Sequence, residues 1–135
     1  MARLLITLLQ ATLIGMVTVA FTENIGSLWW SPPPGVDLSK PAEVAKLMSK
    51  IPLANKVLVT LAWVLGPAVA SGWAARRDPE NGLIVGALCG VLFTSMTLAN
   101  LMMIPHPAWM AAIGLLLPFP ASMIAAWRGF RSNLG

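Results

Sequence analysis

Glu23, Asn24, Trp63, Asn100 and His106 are the residues whose chemistry stands out against their surroundings. A carboxylate, two amides, an indole N–H and an imidazole sit at the edges of long apolar runs, or inside them, where each must find a partner or face water. Glu23 with His106 has the makings of a proton relay or an acid–base pair, because an imidazole titrates near neutrality. The structural alternative is that Asn100 and Trp63 bond each other, or carbonyls freed by a proline. His106, between Pro105 and Pro107, would then brace a corner by bonding a backbone carbonyl. Met102, Met103 and Met110 flank His106, and thioethers with an imidazole suit Cu(I), although Met is also a common gap-filler.

Other chemistry is excluded by counting. His106 is the only His, so one chain cannot provide paired axial ligands to a haem. Cys89 is the only Cys, which rules out an internal disulfide or a Cys-based zinc site, and it reads as a small hydrophobe. No nucleophile elbow, phosphate loop, zinc-binding helix or carboxylate dyad occurs. None of the five acidic residues lies deep in an apolar run, where a cation-coupled transporter would usually carry one. No catalytic residue, metal or cofactor is expected.

The elements that must position these residues follow from hydropathy. The 135 residues are 57% hydrophobic and 10% charged, with a mean hydropathy of +0.76, too apolar for a soluble domain of this size. The chain reads as one all-α membrane domain, 1–135, of four transmembrane helices with a short interfacial amphipathic helix between helices 1 and 2. The spans are expected at 4–22, 57–75, 79–104 and 107–127, and the interfacial helix at 39–51. The first apolar run exceeds the core of a signal peptide and reads as a retained span. Val44, Leu47, Met48 and Ile51 give the interfacial helix its apolar face. Docking on a partner's surface is the alternative for that helix. Pro67 predicts a kink in the second span, Asp78 and Pro79 a cap and first turn for the third, and Pro118 and Pro120 a break in the fourth. Gln10, Thr94, Ser95 and Thr97 read as polar glue between helices.

Small residues recur every fourth position on the middle spans, as Ala62, Gly66, Ala70, Ala74 and as Gly82, Gly86, Gly90, Thr94. Folding the chain at Asp78 pairs Ala74 with Gly82, Ala70 with Gly86, Gly66 with Gly90 and Ala62 with Thr94. Such ridges let helices approach closely in lipid. Mid-span prolines in spans two and four, with a Trp then an Arg closing each, also allow a reading as two parallel halves.

The net charge of +4 comes from residues flanking the spans, which points to membrane anchoring and not to nucleic acid. Arg3, Arg76, Arg77, Arg128 and Arg131 fall on one side, Lys40, Lys46, Lys50 and Lys56 on the other. Arg3 before the first span and Glu23 after it favour both termini inside. Trp29, Trp30 and Trp109 then mark one interface and Trp73 and Trp127 the other.

Glu23, the turn Pro32-Pro33-Pro34, Ala62-Trp63 with Gly66, Asn100, and Ile104-Pro105-His106-Pro107 with Trp109 together form a familiar pattern. In these features the chain resembles an uncharacterised family of short bacterial four-helix integral membrane proteins. The resemblance implies a bacterial cytoplasmic (inner) membrane location and four spans, and no activity. Similar sequences tend to carry a His soon after the Glu, where this chain has Gly26-Ser27-Leu28, so a two-His metal site is not implied. The expected role is a non-catalytic accessory or scaffolding subunit, with the lipid bilayer and other membrane proteins, or further copies of itself, as partners. A small oligomeric transporter or channel, its polar site near the outer ends of the first three spans, is the alternative.

Overall fold

A computed structural model describes residues 1–134. The chain forms α1 (Ala2–Ile25), a 3-10 turn (Gly26–Leu28), α2 (Pro41–Leu47), α3 (Leu53–Arg77), α4 (Gly82–Met103), α5 (Ala108–Leu116) and α6 (Pro118–Arg131). Four helical stretches are long and apolar enough to cross a membrane: α1 with its 3-10 turn, α3, α4, and α5 with α6. The helical form is what an apolar run requires in lipid, where each backbone N–H and C=O must be satisfied inside its own segment.

α3 is the central helix and packs against α1, α4 and α6, while α4 also packs on α6. The core is made of small side chains, with Ala11, Ala70, Ala74, Val85 and Cys89 fully buried together. Polar groups link the layers. Ser71 of α3 and Ser122 of α6 share a short hydrogen bond, and Ser122 Oγ also donates to the Gly86 carbonyl of α4 at 2.6 Å. Each hydroxyl has one proton, so Ser71 donates to Ser122 and Ser122 to Gly86.

α1 is held at three heights. At its start Thr7 Oγ1 donates to Asp78 Oδ2 at 3.2 Å, and the Arg3 guanidinium lies 3.2 Å from Asp78 Oδ1. At mid-height Gly15 and Gly66 bring two backbones together, since a Cβ on Gly15 would stand 3.0 Å from the Gly66 carbonyl oxygen. At the far end Asn55 Nδ2 donates to the Gly26 carbonyl at 3.1 Å, and Asn55 Oδ1 accepts from the Trp29 indole at 2.9 Å.

Several details differ from the sequence reading. α4 begins at Gly82 with Asn81 as its N-cap, so Asp78–Asn81 is a turn, and Asp78 closes α3 as its C-cap without capping α4. Its carboxylate is taken by Thr7, Asn81 and Arg3, which leaves none for the α4 amides. The later start shifts the hairpin register by one residue: Gly82 abuts Ala75, and Gly86 lies beside Ser71 and Ala126. Further along, the glycines serve other helices, Gly90 receiving Phe119 and Ser122 of α6 and Gly66 receiving Gly15 of α1. Ala62, Ala70 and Ala74 are fully buried and Thr94 is half-buried. Thr94 and Ser95 bond their own helix, at Gly90 and Val91, and so are not inter-helix glue. α3 continues through the buried Pro67, whereas α5 gives way to α6 at Leu117, with Pro118 in the first turn of α6. α2 is seven residues long, with Leu47 its buried residue.

Candidate functional site

Near the end of the bundle away from the Asp78 turn, α1, α3 and α4 part to leave a cleft of about 310 Å³. α1 lines it with Met16, Val19, Ala20 and Glu23, which fall on one helical face at i, i+3, i+4 and i+7. α4 lines it with the same spacing, through Phe93, Met96, Thr97 and Asn100. Trp63 of α3 forms the wall between them. The cleft is apolar at the Met16 and Phe93 end and polar at the Glu23 and Asn100 end. Its closed end is set by Gly15 and Gly66, where a Cβ on Gly15 would stand 2.5 Å from the Phe93 ring.

Trp63 organises the site. It is 6% exposed and meets a different group on each side. The indole and the Glu23 side chain line the cleft together. Gly114 of α5 presses on the ring so closely that a Cβ there would stand 2.6 Å from it. The His106 imidazole packs edge-on at 5.5 Å between ring centres, with an interplanar angle of 66°. His106 is itself fixed by a 2.7 Å contact between Nδ1 and the Ile104 carbonyl, which makes Nδ1 the donor.

The structure thus brings Glu23, Trp63 and Asn100 to one cleft and sets His106 behind the tryptophan. Among the described residues no hydrogen bond joins Glu23 to His106, so the acid–base pair is not assembled, and no hydrogen bond joins Asn100 to Trp63. Asn24 stands apart, exposed, with its amide donating to Ala20 of its own helix at 2.7 Å. The thioethers do not converge either: Met102 and Met103 are exposed at 81% and 62%, while Met110 is buried at 1%. Among the described residues no group of three His, Cys, Asp or Glu side chains could hold a metal ion.

Reasoning from sequence missed Asn55, Thr7, Ser71 and Ser122 as structural polar residues. The signal available was their position within or beside apolar spans, where each had to find a partner. The cleft offers one carboxylate, one amide and an indole beyond an apolar floor, a mixture of hydrogen-bond acceptors and donors. Comparison with protein families, with curated proteins and with solved structures finds no match for this chain.

Proposed function

We propose that the protein is a non-catalytic accessory subunit of a membrane complex, and that the cleft between α1, α3 and α4 is where it holds its partner. The observation that carries this reading is that the cleft is blind. Met16 to Glu23 spans about 10 Å at 1.5 Å per residue, only a third of a bilayer's hydrocarbon core of about 30 Å. Beyond it Gly15, Gly66 and Phe93 close the bundle, and the Ala11, Ala70, Ala74, Val85, Cys89 core continues the seal. A permeation path within one chain has nowhere to go. Glu23 and Asn100 are set to receive a donor side chain of a neighbouring segment, which lipid tails cannot offer. The same reading places the chain in a bacterial cytoplasmic membrane, both termini cytoplasmic and α2 in the outer interface. The resemblance noted above and the five arginines at the terminal end support it.

Thiol accessibility at position 100 tests this. In a Cys89→Ala background, Asn100→Cys in native membranes should resist a membrane-impermeant maleimide and become reactive after extraction in a detergent that strips partners. Full labelling in native membranes would sink the subunit reading and favour a water-filled transport site. Native mass spectrometry giving only a partner-free species would also count against it.

A further inference from the structure

On the opposite side of α3 from the cleft, a groove of about 730 Å³ runs between α3 and α6. Its apolar length is made by Val64, Ala68 and Gly72 of α3 and by Ala121 and Ala125 of α6. Small side chains hollow it out, and α3 and α6 come close together where a Cβ on Gly129 would stand 2.6 Å from the Gly72 carbonyl oxygen. Arg76 and Arg128, both exposed, flank one end beside Trp73. No acidic residue lines the groove.

The other arginines at this end are engaged elsewhere. Arg3 pairs with Asp78 and lies 3.7 Å from Glu80, and Arg131 stacks on Trp127 at 4.7 Å. Arg77 lines a separate recess with Arg3 and Asp78. Arg76 and Arg128 alone head an apolar channel, and among the described residues neither has a carboxylate partner. From Val64 to Arg76 the channel runs about 18 Å at 1.5 Å per residue. One leaflet of hydrocarbon is about 15 Å deep. The length suits one acyl chain, and its charged end lies where that chain's headgroup would be.

We propose that this groove is a binding site for an anionic phospholipid, with an acyl chain along α3 and α6 and the phosphate held between Arg76 and Arg128. Two arginines present the donors that phosphate oxygens accept, and basic recesses between transmembrane helices select anionic headgroups. The residues are distinct from those of the cleft, so this assignment stands or falls separately from the subunit reading.

The test is thermal unfolding in detergent with added phosphatidylglycerol or phosphatidylcholine of the same acyl chains, with glycerol 3-phosphate as a chain-free control. Wild type should bind phosphatidylglycerol roughly 25-fold more tightly than phosphatidylcholine, taking the usual contribution of each basic residue near a membrane surface. Glycerol 3-phosphate should not stabilise it. Arg76→Gln with Arg128→Gln should bring the ratio near one, and Arg131→Gln should leave it intact. Ala68→Trp, which fills the groove and keeps both arginines, should also weaken phosphatidylglycerol binding. Equal affinity of wild type for the two lipids overturns the proposal, whatever the variants do. So does phosphatidylglycerol binding that Ala68→Trp leaves undiminished, or a preference that Arg131→Gln removes as fully as the groove pair does, because either result describes surface charge without a site.

Discussion

Asp78 keeps its charge in a place with almost no solvent, its side chain 1% exposed at the turn between α3 and α4. Burial pushes this carboxyl up, but hydrogen bonds from Asn81 and Thr7 and the Arg3 guanidinium outweigh that and hold it below the ordinary Asp range. The sign follows from linkage: a carboxylate depressed on folding adds stability above its unfolded pKa of about 3.9, and that stability is lost as pH falls through the lower folded value. The melting temperature in detergent should therefore be flat from neutrality to about pH 5 and drop below pH 4. Asp78→Asn should flatten that acid limb. A limb unchanged in the variant would show that Asp78 does not govern it. The serine relay makes a second prediction at this scale. Ser122→Ala removes both of its hydrogen bonds, whereas Ser71→Ala leaves Ser122 bonded to Gly86. Ser122→Ala should cost about 0.6–1.7 kcal/mol by reversible unfolding and Ser71→Ala distinctly less. The reverse order would contradict this relay, because the Gly86 carbonyl can only accept. The sequence showed that such residues need partners but not which ones, because pairing of Ser71 with Ser122 depends on the rotation of two helices far apart in the chain.

Among elements, the glycines divide by what stands opposite them. Gly82 faces the backbone of Ala75, which cannot yield, and Gly86 faces the Ala126 methyl at 2.6 Å from a notional Cβ. At Gly72 the nearest atom would be 3.5 Å away, an ordinary contact. Gly82→Ala and Gly86→Ala should each destabilise by about 1–3 kcal/mol through overpacking. Gly72→Ala should be neutral or stabilise by up to about 1 kcal/mol, because alanine favours the helix and nothing blocks it. Unfolding in a single detergent checks all three, and a Gly72→Ala loss as large as that of Gly82→Ala would contradict the packing described. Helix existence was legible from the apolar runs, and so was the break before Pro118. Helix ends were less so: the fourfold spacing of Gly82, Gly86 and Gly90 marked a packing face without saying which helix would use it. Asp78 and Pro79 carry the local signature of a cap, but a contact across the bundle from Thr7 and Arg3 claims the carboxylate first. The cleft was half legible. Glu23, Trp63 and Asn100 were marked by polarity, while Met16, Val19 and Phe93 look like any other lipid-facing or core residues.

For the whole molecule, orientation rests on a narrow balance of charge that the fold helps to interpret. Arg3, Arg77 and Asp78 share one recess, and Asn133 Nδ2 donates to the Ala75 carbonyl at 3.1 Å, so both termini lie at the end of the bundle that carries the α3–α4 turn. Five arginines there oppose Lys40, Lys46, Lys50 and Lys56 at the other end. Positive charge close to the spans sets orientation, and acidic residues contribute little, so the pairing of Arg3 with Asp78 does not cancel its vote. Lys40 and Lys46 flank or belong to α2, separated from the spans by the proline-rich turn before it and by Pro52 after it. They should therefore count for less than Arg76 and Arg77, which end α3 itself. Replacing Lys40, Lys46 and Lys50 with Gln should leave orientation unchanged, with a C-terminal green fluorescent protein fusion bright and an alkaline phosphatase fusion inactive. Replacing Arg76 and Arg77 with Gln leaves three arginines against four lysines and should produce a mixed population in which both reporters give partial signal. Active phosphatase on the unaltered chain would place the arginine end outside, and the phospholipid groove with it in the outer leaflet.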